Sequence, residues 1–263
     1  MLPITTVDRF LGSLMGTYIG HRSLDGSHQA MDVRNTPSLE QSWLHALQLG
    51  ISPTLVSSNS HLANTIPWLL YHHDDRRTRN HILAQNLTSP SRTTAMTTMT
   101  ATLYILGDCL EWLMQVTSVN QAVHPLMCKH LQQQSLTYPA AITPKVHSLI
   151  ASLEFPSSIT DDYQLQSSNE LTMTLAAAIR QSLTYSENLA LALSTCDLGT
   201  PTSTLIGCLL GAWRGTSIIP SGWLTSLPNT SKQTLHQVAE QLYRNWAGIN
   251  HISATFEAFP LDL

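Results

Sequence analysis

Carboxylates and imidazoles are the side chains of this sequence whose spacing could do chemistry. Adjacent aspartates occur twice, as Asp74-Asp75 and as Asp161-Asp162 within Thr160-Asp161-Asp162-Tyr163. Paired carboxylates can hold a hard divalent cation or divide acid and base roles between them. Asp74-Asp75 is followed by Arg76, Arg77 and Arg79, however, and that neighbourhood predicts local ion pairing. Asp161-Asp162 follows Pro156 in a polar stretch that opens a helix, where acids suit the positive end of the helix dipole and need no metal. Histidine is frequent, with 12 in the chain, and imidazole suits Zn²⁺, Ni²⁺ and Fe²⁺. Yet His72-His73, His124 with Lys129-His130, and His21 with His28 all miss the i, i+4 spacing by which H-E-x-x-H grips a metal. They read as neutral surface or core residues. Nucleophilic catalysis has no anchor either: there is no G-x-S-x-G, and Ser13 and Ser221 lie in packing or turn motifs. No G-x-x-x-x-G-K-[ST] occurs, and Gly12-Ser13-Leu14 does not follow a strand as a phosphate-binding loop would.

The elements that must position these groups are helical. Phe10, Leu11, Leu14, Met15, Tyr18 and Ile19 recur at steps of three and four, as do Leu171, Leu175, Ala178 and Ile179. Similar stripes cover 43–49, 99–116, 123–131 and 235–249, and strand-like alternation is hard to find. Helix starts are expected at Thr6 or Asp8, near Pro144 and at Ser231. Breakers cluster at 20–37, 52–59, 89–91, 139–144 and 155–168, and none is a Pro- or Gly-rich linker that would divide the chain. The expected fold is all-α: a single multi-helix domain over 1–263, of roughly ten helices. The tract Thr93-Thr94, Thr97-Thr98, Thr100 and Thr102 is expected to bury its hydroxyls by bonding back to its own helical turn. Trp112, Trp213, Trp223 and Trp246 stand beside Leu or Ala and are expected to pack into the core. Two glycine triplets, Gly12, Gly16, Gly20 and Gly207, Gly211, Gly215, each occupy one helix face. Glycine costs about 1 kcal/mol in a helix relative to alanine, so three in register point to close backbone packing ahead of ligand contact.

Composition narrows the class of function. The chain has 263 residues and a net charge of −4, with 43% apolar residues and only 11% charged ones. Globular proteins usually carry about a quarter charged residues, so this surface is polar rather than ionic. It offers no basic field for nucleic acid and little like-charge repulsion, which favours self-association or a protein partner. The four cysteines, Cys109, Cys128, Cys196 and Cys208, form no C-x-x-C pair. Residues 1–10 lack the basic start of a secretory signal and carry Asp8, so the thiols are expected to be reduced in a cytoplasmic protein. No apolar run approaches the ~20 residues of a membrane span; 205–220 is interrupted by Arg214 and three glycines.

Two stretches carry more than a helical class. Arg9-Phe10-Leu11-Gly12-Ser13-Leu14-Met15-Gly16-Thr17-Tyr18-Ile19-Gly20 resembles the opening motif of the ADP-ribosylglycohydrolase family, R-x-x-G-(A/S)-L-x-G-x-x-x-G-D-A-L-G. Gly207-Cys208-Leu209-Leu210-Gly211-Ala212-Trp213-Arg214-Gly215, followed by Ile219-Pro220 and Trp223-Leu224, resembles its closing motif. Ile66-Pro67-Trp68-Leu69-Leu70 with His72-His73-Asp74-Asp75 is similar to the family's mid-chain pattern. The resemblance implies an all-α domain with two Mg²⁺ or Mn²⁺ ions in a central cleft, where ADP-ribose is held and its bond to a protein side chain is cleaved.

The metal-binding acids that the resemblance calls for are missing. Where the family has Asp after the last opening glycine, this chain has His21. Where T-D-D-T should stand, the window 34–49 holds Glu40 as its one acid, between Leu39 and Gln41. The late G-G-D-x-D-T falls on Cys196, Asp197, Leu198, Gly199, Thr200 and Pro201, which puts Leu198 and Thr200 at the two metal aspartates. Shifting the match to begin at Gly199 puts Pro201 and Ser203 there instead. Hard divalent ions need oxygen ligands and charge compensation, so no metal cofactor and no catalytic residue is expected. His21, Asp197, Thr200, Thr202 and Ser203 are the candidates to line the remnant cleft. The expected function is a non-catalytic, ADP-ribosylglycohydrolase-like protein reused for binding or regulation, with a protein partner or a nucleotide-like ligand. The enzymatic alternative is a diverged hydrolase of ADP-ribosyl or N-glycosidic bonds, with His21, Asp161, Asp162 and Asp197 as its candidate water activators.

Overall fold

Helix α1 (Thr6–His21) lies directly against helix α10 (Pro201–Arg214), and their glycines explain how. In the computed structural model, which describes residues 4–22, 38–49, 60–87, 93–116, 123–154 and 170–249, the two triplets face one another. A Cβ at Gly16 would fall within 3.0 Å of the Gly207 backbone, and one at Gly12 would strike the backbones of Gly211 and Gly215. Gly20 stands in the same relation to the Ser203 carbonyl. Backbone therefore meets backbone along the whole crossing. Residues 12–20 of α1 and 203–213 of α10 are buried throughout, so these are core helices with no solvent face over those spans. Gly215 differs from its partners: with φ 65° it caps the end of α10 and begins a 3₁₀ turn (Gly215–Ile218) rather than continuing the helix face.

Ten further helices surround this pair: α2 (Leu39–Leu49), α3 (Ser60–Tyr71), α4 (Arg76–Leu87), α5 (Thr94–Gln115), α6 (Val123–Ser135), α7 (Thr143–Glu154), α8 (Glu170–Thr184), α9 (Leu189–Ser194), α11 (Ser221–Ser226) and α12 (Asn229–Trp246). No strand occurs among the described residues, which form a compact all-α domain of twelve helices. None of these helices is long and apolar enough to cross a membrane. Helix α5 is the other core helix, buried without interruption over 97–110. Its threonines return their hydroxyl protons to the preceding turn: Thr97 to Thr93, Thr98 to Thr94, Thr100 to Met96 and Thr102 to Thr98. That is how an indifferent helix former is buried without an unsatisfied polar group. None of the four cysteines is in a disulfide, with Cys109, Cys128 and Cys208 buried and Cys196 partly covered. Trp213 is buried, and Trp112, Trp223 and Trp246 pack against the core from partly exposed positions.

Ser231 does not begin the last helix: Asn229 does, after Pro228, and Ser231 is buried within the first turn. At the first helix the cap is Thr5, whose hydroxyl accepts from the Asp8 amide. The arginines after Asp74-Asp75 do not serve those acids. Arg76 donates to Asp108 on α5 through Nε and Nη2 at 3.1 and 3.2 Å, and Arg79 reaches Asp108 and, at 3.2 Å, Glu111. Asp108 and Arg79 are fully buried, and the Tyr138 hydroxyl donates to the same carboxylate. Gly107 makes room for the Arg79 guanidinium, which a Cβ there would strike. Asp75 instead caps α4 by accepting from the Thr78 amide, which holds its carboxyl below the ordinary range, and Asp74 accepts from the Trp246 indole. A long, donor-rich guanidinium is satisfied best by a buried carboxylate on the next helix, and solvent hydrates the exposed acids adequately.

Candidate functional site

The candidate cleft residues meet where α1 ends against the start of α10. The hinge of this corner is the Gly20 carbonyl, which accepts from the Gly199 amide at 3.0 Å and the Ser203 hydroxyl at 2.6 Å. Gly199 makes the turn into α10 at φ 81°, a conformation that favours glycine. Thr200 then caps the helix in a capping box: its hydroxyl accepts from the Ser203 amide, and Ser203 Oγ accepts from the Thr200 amide at 3.1 Å. Pro201 occupies the first turn, where a missing amide costs nothing. The Thr200 hydroxyl donates to the Asp197 carbonyl at 2.7 Å, closing the loop on itself.

His21, the last residue of α1, lies beside this corner, and burial holds its imidazole below the ordinary histidine value. Asp197 is exposed, Thr202 is half-buried in the first turn of α10, and Ser203 is fully buried. The structure thus brings His21, Asp197, Thr200, Thr202 and Ser203 to one place. The hydroxyls of Thr200 and Ser203 are engaged in holding it together. Removing the cap by Thr200→Ala is expected to cost about 1 kcal/mol, read as a lower midpoint in denaturant, with Thr200→Ser restoring most of it.

These donors do not fit a two-magnesium or two-manganese centre. At the aspartate positions given by the resemblance stand Leu198, which packs on the core, and Thr200, or else Pro201 and the buried Ser203. None supplies the negative charge that such ions require. Among the described residues, no group of three or more His, Cys, Asp and Glu side chains is placed to hold a metal ion. Asp161 and Asp162, the other acids of the hydrolase alternative, lie outside the described residues, as does His28.

A second polar cluster, on the same end of α1, escaped the sequence reading. The Tyr18 hydroxyl donates to Ser231 Oγ at 3.0 Å, and Ser231 donates to Glu40 Oε1 at 2.9 Å, linking α1, α12 and α2. Glu40 is 7% exposed and its Oε2 has no hydrogen-bond partner. Burial, the largest influence on Tyr18, raises its phenol pKa, and the Arg22 guanidinium lies 5.0 Å from the centre of its ring. A signal was present: Glu40, Trp43 and Leu47 share one face of α2 at steps of three and four, which puts an acid on an apolar stripe.

Comparison of the chain with family models, curated proteins and solved structures finds no match.

Proposed function

We propose that this chain is a non-catalytic binding or regulatory protein built on an ADP-ribosylglycohydrolase-like helical scaffold. The observation that carries this reading is the state of the corner between α1 and α10. There the glycines of the two resembling motifs pack backbone to backbone, and the Ser203 hydroxyl is engaged by the Gly20 carbonyl and the Thr200 amide. Polar groups engaged in the fold position α10 but are not free to take up a metal or activate a water. A polar surface with a net charge of −4 favours a protein partner or a second copy over nucleic acid, and a nucleotide-like ligand remains compatible with the helix end beside His21.

Calorimetric titration of Mg²⁺ and Mn²⁺, then of ADP-ribose, into metal-stripped protein tests the reading. The expected result is no metal binding, with or without the nucleotide. Stoichiometric metal binding would overturn it in favour of the diverged hydrolase.

A further inference from the structure

We propose that His73 is an acid-released clasp that holds the last turn of α12 against α1 and the end of α3. His73 follows α3 and is 6% exposed. Its Nδ1 lies 2.7 Å from the Leu70 carbonyl, which assigns the proton of the neutral ring to Nδ1. The ring meets Phe10 of α1 edge-on at 5.4 Å and lies tilted against Trp246 of α12 at 5.3 Å. Trp246 also meets Phe10 edge-on at 6.2 Å, lies tilted against Tyr243 at 5.8 Å and donates its indole N–H to Asp74 at 2.9 Å. Leu242 is the last fully buried residue of α12, and beyond it Trp246 and this ring cluster join the final turn to α1 and the end of α3.

The charges around His73 decide what a proton does there. Its own segment brings Asp74 and its neighbour His72, α4 brings the buried Arg79, and α5 brings Glu111; α1 and α12 bring the rings of Phe10 and Trp246. Arg79 donates to the carbonyls of both His72 and His73, so a fixed cation sits beside the imidazole. Glu111 is paired with that same Arg79, and Asp74 is exposed to water, which weakens both as stabilisers of an imidazolium. The Leu70 carbonyl accepts from Nδ1 in either protonation state. Burial therefore dominates and holds the ring below its ordinary value of 6.5.

The sign follows from linkage. Docked, His73 binds its proton less readily than when the turn swings into water. The clasp is therefore fully effective above about pH 6.5, weakens as pH falls through that value, and reaches its minimum below the docked-state value. Release would uncover the apposed rings of Phe10 and Trp246, an aromatic face available only in acid. His72, by contrast, packs on Trp68 and Tyr71 within α3.

Hydrogen–deuterium exchange of the full chain between about pH 7.5 and 5.5, corrected for intrinsic rates, tests the clasp. The opening equilibrium of residues 243–248 should rise by up to about tenfold per pH unit below 6.5, with α5 and α10 still protected. His73→Phe keeps the ring contacts and removes the titration, and should make that profile flat. A flat profile in the unaltered chain, or the same slope in the variant, would overturn the proposal. Should the variant fail to fold, the NMR titration of His73 in the unaltered chain decides: a midpoint below 6.5 is expected, and one at or above 6.5 overturns the clasp.

Discussion

Gly16→Val should leave no cooperatively folded chain, or one destabilised by roughly 3 kcal/mol or more. The first atom added at this position would overlap the Gly207 carbonyl group, which is helix backbone and has no rotamer by which to yield. To admit it, α1 must separate from α10, and the buried contacts of Phe10, Leu14, Ile19, Leu205 and Leu209 open with it. Denaturant unfolding followed by circular dichroism measures the effect. Gly222→Ala is the matched control: Gly222 lies in α11, nothing stands within 4 Å of its added Cβ, and alanine is the better helix former. That variant should be neutral or gain up to about 1 kcal/mol. Equal losses at the two sites would show that glycine removal as such, and not the crossing, is responsible.

Asp108→Ala is expected to be the most damaging change among the charged residues. The carboxylate is fully buried and takes hydrogen bonds from Arg76, Arg79 and Tyr138, which arrive from α4 and from the connection after α6. Removing it leaves the fully buried Arg79 with Glu111 as its one remaining ion-pair partner among the described residues, and breaking such a pair from one side costs about 3–5 kcal/mol. Asp108 also keeps the Tyr138 phenol strongly raised, second to burial itself, so the hydroxyl stays protonated and serves as donor. The double variant Asp108→Leu with Arg79→Met should recover a substantial part of the loss, because a well-packed apolar pair can replace a buried ion pair at little cost. Urea midpoints of the single and double variants decide this. A double variant as unstable as Asp108→Ala would mean that packing, and not the stranded cation, sets the cost.

Much of the fold was legible in the sequence because its signals are local. Apolar steps of three and four marked the helices, threonines in α5 carried their own acceptors four residues back, and glycine spacing gave α1 and α10 one bare face each. The Thr200–Ser203 capping box is likewise a local pattern, three residues apart. Which bare face meets which is a long-range matter, and so is the choice of partner for each buried charge. Arg76 and Arg79 stand next to Asp74-Asp75 in sequence but bond to Asp108, and Ser231, expected at a helix start, lies inside α12 and bonds to Glu40. Helical geometry explains both cases. Neighbours in sequence diverge around the helix axis, while packing brings together side chains far apart in the chain and excludes the water that would otherwise satisfy them. The sequence by itself singles out His21, Thr200 and Ser203 only as candidates, at positions where the resembling family carries acids. Only the tertiary structure, by seating α1 on α10, decided that the Ser203 hydroxyl is engaged by the Gly20 carbonyl.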